Sequence, residues 1–188
     1  MKFFGDKNAF AILFRPDQEF KDEKQHALPF CHFIFNHKII GDKNEPCFLG
    51  TWASSLLYLK NQIVLKKDCL TEPEFEKLSD LEIFELLLKT NQDEADFKEN
   101  YKHLPRLAED IWYKYRVDMD ETIDRYSIFI VEDNNILKFL WRNHTRKNAI
   151  LGVMTTTHEQ FYDTVDSCLD FLIKEYSSVI GNLYRYSK

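Results

Sequence analysis

The feature that most constrains this chain is a pair of β-rich runs held together by a short polar link. Tyr126 to Val131 and Ile136 to Trp141 flank Glu132-Asp133-Asn134-Asn135. Four turn-forming residues between two strand-forming runs fold back as an antiparallel hairpin. Ile150 to Thr155 follows as a third strand. The first third of the chain repeats the pattern. Phe10 to Arg15 is a short apolar run closed by Pro16, and Leu28 to Phe35 is a second. Asn36-His37-Lys38 then turns into Ile39-Ile40, and Gly41-Asp42-Lys43-Asn44 marks the next turn. These pieces form an antiparallel meander.

The middle changes period. Trp52, Leu56, Leu59 and Ile63 recur at intervals of four, three and four behind Thr51, a candidate N-cap. Ser79-Asp80-Leu81-Glu82 is a capping box ahead of Ile83, Leu86 and Leu87. Thr71-Glu72-Pro73-Glu74 has the same form, with proline in the first turn where its missing N–H costs little. Leu107, Ile111 and Tyr115 make another helical stripe after Pro105. The last helix opens at Thr157, with Gln160 closing its box. Its apolar face is Phe161, Val165, Cys168, Leu172 and Tyr176, and Asp163, Asp166, Asp170 and Glu175 fall on the other side. Strands, helices, strands and a helix follow one another without βαβ alternation. The expected fold is α+β, with a mostly antiparallel sheet built from an N-terminal meander and a C-terminal hairpin, a helical middle section and a C-terminal amphipathic helix. No repeat or long linker divides the 188 residues, so one domain over 1–188 is expected.

Composition narrows the function. The longest apolar runs, such as Ala9 to Phe14, are far shorter than the roughly 20 residues a membrane-spanning helix needs. Met1-Lys2-Phe3-Phe4-Gly5-Asp6 reaches an acid before a secretory apolar segment can form, so a cytoplasmic location is expected. Acidic residues number 31 against 25 basic, for a formal charge of −6. That balance disfavours nucleic acid, which draws proteins by counterion release to a basic face, and suits a cationic protein partner. The four cysteines form no CxxC pair and read as reduced thiols.

Catalytic signatures are missing: there is no phosphate-binding P-loop, no GxGxxG, no GxSxG and no HExxH. Cys31, His32 and His37 lack the second pair of ligands that zinc sites show, so no metal or other cofactor is expected. More simply, His32 lies on one sheet face while Cys31 fills core on the other. Among possible thiol nucleophiles, Cys168 sits on an apolar helix face and Cys31 within a strand. Cys47 and Cys69 fall in loops open to solvent, with no base beside them. Trp52 and Trp141 read as core. Asp118, Asp120, Glu121 and Asp124 cluster just after Trp112, Tyr113 and Tyr115, with a smaller acidic run at Asp93, Glu94 and Asp96. Three readings fit the larger cluster: a divalent-metal site, a recognition face in which aromatics supply area and carboxylates grip Arg or Lys, or a solvated loop.

The segment Phe4-Gly5-Asp6-Lys7-Asn8-Ala9-Phe10-Ala11-Ile12 resembles the opening of the immunity protein 42 family of bacterial polymorphic toxin systems. Ile39-Ile40-Gly41-Asp42, Gly50-Thr51 leading into Leu56, Leu57 and Leu59, and Thr157 through Leu172 with Phe161-Tyr162 are similar to that family's layout. The resemblance implies a cytoplasmic antidote without enzymatic activity. Such a protein binds one cognate toxin domain, the C-terminal part of a larger secreted protein, and blocks its active site or an essential surface, as in contact-dependent growth inhibition. The chain departs from the family pattern at Asp17 to Lys24 and in the acidic stretch after Trp112. Expected toxin contacts are Asp118, Asp120, Glu121 and Asp124 with Trp112 and Tyr113. Were the toxin a nuclease, those carboxylates would stand in for phosphates in its cationic groove. The alternative is a metal-dependent hydrolase using the Asp118–Asp124 carboxylates.

Overall fold

The computed structural model describes residues 1–16, 28–65, 70–89 and 112–180. β1 (Lys2–Gly5), β2 (Phe10–Arg15), β3 (Phe30–Phe35) and β4 (Lys38–Ile40) make a four-stranded antiparallel sheet in chain order. α1 (Leu49–Leu65), a 3-10 turn (Pro73–Lys77), α2 (Asp80–Lys89), α3 (Trp112–Tyr115) and a second 3-10 turn (Glu121–Ile123) follow. β5 (Tyr126–Asp133), β6 (Ile136–Asn143) and β7 (Gly152–Thr157) form a separate three-stranded antiparallel sheet, and α4 (His158–Ile180) closes the order. The α+β class and the antiparallel pairing stand as expected, with the meander and the hairpin in two sheets.

Local chemistry explains the boundaries, including where they differ from expectation. Glu132 and Asp133 belong to β5, so the hairpin loop is only Asn134-Asn135, with φ of 50° and 63°. Two successive positive φ values match a two-residue loop to the strand twist, and asparagine tolerates that region. Asn36-His37, with φ of 47° and 68°, repeats the device between β3 and β4. β1 was not expected: Phe3 and Phe4 are its only strong β-formers, and pairing with Leu13 and Ile12 creates it. α1 starts at Leu49, before Thr51, and the Trp52 N–H already bonds the Phe48 carbonyl at 2.9 Å. Thr71 caps nothing. Glu72 occupies the N-cap of a 3-10 turn without a side-chain cap bond, because its carboxylate is taken by Lys114 Nζ at 2.7 Å and Tyr115 Oη at 2.5 Å. The two other boxes form. The Ser79 N–H donates to Glu82 Oε2 at 2.8 Å, and the Gln160 N–H donates to Thr157 Oγ1 at 3.1 Å.

Aromatic packing joins the layers. Phe10 of β2 lies 5.8 Å from Phe139 of β6 and 5.2 Å from Phe161 of α4, ring centroid to centroid, tying both sheets to the last helix. Trp52, Leu56, Leu59 and Ile63 of α1 are all buried, as are Phe161, Val165, Cys168 and Leu172 of α4, which kinks at Tyr176. Trp141 packs over Gly152 so closely that a Cβ there would sit 2.1 Å from its indole, so any larger residue would displace the ring. Cys47 is buried, contrary to expectation. Its N–H bonds Pro29 O at 2.8 Å, which draws it inward beside Cys31. Burial, reinforced by the Cys47 thiol, holds the Cys31 thiol well above its ordinary value. Asp17 to Lys24, Cys69, Asp93, Glu94, Asp96, Leu107 and Ile111 lie outside the described residues.

Candidate functional site

The segment from Arg116 to Arg125 doubles back across the start of β5. Val117 N–H donates to Ile128 O at 2.9 Å, and Arg116 forms an isolated bridge with Phe129. The far end is latched to the other sheet. The Asp42 N–H donates to Thr122 O at 3.0 Å, and Arg125 pairs with Asp42 at 3.0 Å. Gly41, at φ +110°, makes that latch possible, since a Cβ there would lie 2.5 Å from Thr122 O. Between this strap and β5 opens a cleft of about 220 Å³. Val117, Ile123, Ile128, Phe129 and Leu88 give it apolar walls, while Asp118, Asp120, Asp124, Ser127 and Tyr126 supply polar ones.

Three of the four expected carboxylates therefore share one concavity. Asp124 is exposed and has no ion-pair partner among the described residues. Asp118 pairs with Arg116 at 2.8 Å, but both are well exposed, a geometry that contributes little to stability. Asp120 is partly committed to the strap, accepting from Thr122 N at 3.2 Å and Oγ1 at 2.6 Å. Glu121 falls within the second 3-10 turn and Trp112 at the start of α3. Tyr113 is 62% exposed, one turn before the strap. Its neighbour Tyr115 is core, packed at 5.4 Å against Phe75. Residues that the sequence did not single out complete the cleft: Arg116, Tyr126, Ser127, His144 and, from α2, Leu88. Tertiary structure brings Leu88 and His144 there, and no local pattern marks them.

Among the described residues, no group of three or more His, Cys, Asp or Glu side chains is arranged to hold a metal ion. His32 and Cys31 occupy opposite sheet faces, His32 opposite Leu13 and Cys31 opposite Phe14. Nothing in this geometry favours the hydrolase alternative.

The sequence matches the family model of immunity protein 42 over residues 1–171. The chain belongs to that family. As an immunity protein it binds and neutralises a cognate toxin. A search of curated proteins by sequence finds no match. Among solved structures, the immunity protein is similar to the crystal structure of CdiI from Burkholderia dolosa AUO158, at a TM-score of 0.59 and 16% identity over 90% of this chain and 99% of that one. That likeness is one of fold. Among the described residues, no helix of the immunity protein is long and apolar enough to cross a membrane.

Proposed function

We propose that the chain acts as one unit over residues 1–188, in the cytoplasm and without catalysis of its own, and that it neutralises its toxin through the acidic cleft. The observation that carries the contact is the convergence of Asp118, Asp120 and Asp124 on one concavity with apolar walls. A slot with aliphatic sides and a carboxylate mouth suits a Lys or Arg side chain, whose stem packs while its head pairs. Tyr113, exposed on α3 just ahead of the strap, would add an aromatic contact, with Trp112 on the same helix and Glu121 on the strap. A nuclease toxin presents a cationic groove for phosphates, and these carboxylates would occupy that groove and block it. The similarity to a CdiI supports placing the pair in a contact-dependent inhibition system, with the partner a toxin's C-terminal domain.

Charge reversal tests the cleft. Asp118→Lys with Asp124→Lys changes two exposed side chains outside the core. It should slow association with the toxin domain about tenfold in 50 mM salt and flatten the salt dependence of the rate, because rim charges act chiefly on encounter. Stopped-flow association at two ionic strengths reads this directly. Equal rates for variant and wild type would remove these acids from the interface.

A further inference from the structure

A stable protein–protein interface buries about 800 Å² on each partner, far more than one side chain entering a small cleft can supply. Among the described residues, the outer face of α1 offers such a surface. Its 17 residues, Leu49–Leu65, carry a single charge, at Lys60. Solvent-facing helix sides are ordinarily rich in charge. Here Tyr58 is 60% exposed, Val64 48% and Leu65 84%. Thr51 and Asn61 are the other exposed positions of the helix, so its outer face is charge-free.

The neighbouring helix adds the complementary half. Lys60 reaches across to Asp166 of α4, placing that flank of α4 against the edge of α1 that bears Val64. Along the same flank run Glu159, Asp163, Asp166 and Asp170, spaced four, three and four, which aligns them in one row. Glu159, Asp163 and Asp170 are exposed and have no ion-pair partner among the described residues. Four carboxylates in a row repel one another and favour a cation alongside.

We infer that the exposed faces of α1 and α4 form a second docking surface on the immunity protein, which takes an amphipathic segment of the toxin domain bearing apolar and Lys or Arg residues. Tyr58, Val64 and Leu65 cover the apolar side of that segment while the α4 row pairs with its cations. Tyrosine supplies large contact area with a polar tip, as interface anchors do. The inference rests on the immunity reading, and it divides binding between a charged cleft and this mixed face.

The test uses the full-length immunity protein and the purified C-terminal domain of its toxin, with affinity measured by titration calorimetry at 50 and 500 mM salt. One variant carries Tyr58→Asp and Leu65→Asp, the other Asp163→Lys and Asp170→Lys. All four positions are exposed, and unchanged melting curves confirm folding. Each pair should weaken binding at least tenfold. The loss in the lysine variant should shrink as salt rises, while that in the Tyr58/Leu65 variant persists. Wild-type binding with both variants equally tight would overturn the docking surface and leave the immunity reading intact. No binding by the wild type would overturn both. A wild-type dimer that the Tyr58/Leu65 variant converts to monomer, with toxin affinity unchanged, would assign the face to a second copy of the chain instead.

Discussion

His32 shows how much a single residue's environment departs from what its sequence position suggests. Strand alternation puts it on the face of β3 opposite Cys31, and the register pairs it with Leu13. That face is not solvated. Ala11, Leu13 and Ile34 form a second buried cluster on it, and His32 is 1% exposed with neither ring nitrogen reaching a partner among the described residues. Burial first, then the Arg15 charge, pushes its pKa down from 6.5 to about 4, against a weaker opposite pull from Asp42. The unfolded chain therefore binds a proton between pH 6.5 and pH 4 that the folded chain refuses. Folding stability should fall as pH drops through that window, by up to about 3 kcal/mol from this group. His32→Leu removes the two unpaired nitrogens and the titration together. It should hold or gain stability at pH 7, by about 1 kcal/mol, and its urea midpoint should change less than the wild type's between pH 7 and pH 5. Parallel acid limbs for variant and wild type would show that the ring does not control this loss.

At the scale of elements, what could be read from the sequence divides by the distance over which each signal acts. The hairpins, the apolar stripes of α1 and α4, and the boxes at Ser79 and Thr157 are encoded within a few residues, and the structure follows them. Thr71 to Glu74 has the same letters, yet its outcome was set by Lys114 and Tyr115, more than forty positions away. Although burial works to raise it, hydrogen bonds from those two residues hold the Glu72 carboxyl below its ordinary pKa. That long-range claim on the carboxylate outcompetes a local capping role. The contrast predicts a pair of outcomes. Ser79→Ala should cost about 1 kcal/mol, the usual worth of an N-cap, whereas Thr71→Ala, at an exposed position without a capping bond, should stay within about 0.5 kcal/mol of wild type. Denaturant unfolding of the two variants side by side decides it, and equal losses would mean that the box at Ser79 does not control α2. β1 was illegible for a related reason, because two phenylalanines near a terminus become a strand only when β2 offers an edge.

Across the whole molecule the candidate site was half legible. Asp118, Asp120 and Asp124 stand close in sequence, so composition alone flagged them. Their concavity depends on Gly41 and Asp42 gripping the strap from another sheet, and on Leu88 and His144 arriving from distant elements. Core packing buries the thiols. Cys31, Cys47 and Cys168 are at most 2% exposed, and burial raises the pKa of Cys31 and Cys168, which suppresses the reactive thiolate further. Their alkylation should therefore require opening of the core, and its rate should report the population of open molecules when reclosing outpaces labelling. A toxin that binds only the folded immunity protein lowers that population by mass action. At a free toxin concentration about 1,000 times Kd the stabilisation is about 4 kcal/mol, so labelling of these three thiols should slow about 1,000-fold. Iodoacetamide labelling followed by peptide mass spectrometry measures each thiol separately, with and without the toxin domain. Rapid native labelling of Cys31 or Cys168 would contradict the closed core. Protection by the toxin without any change in the denaturant midpoint would mean that the complex shields the thiols locally rather than by stabilising the fold.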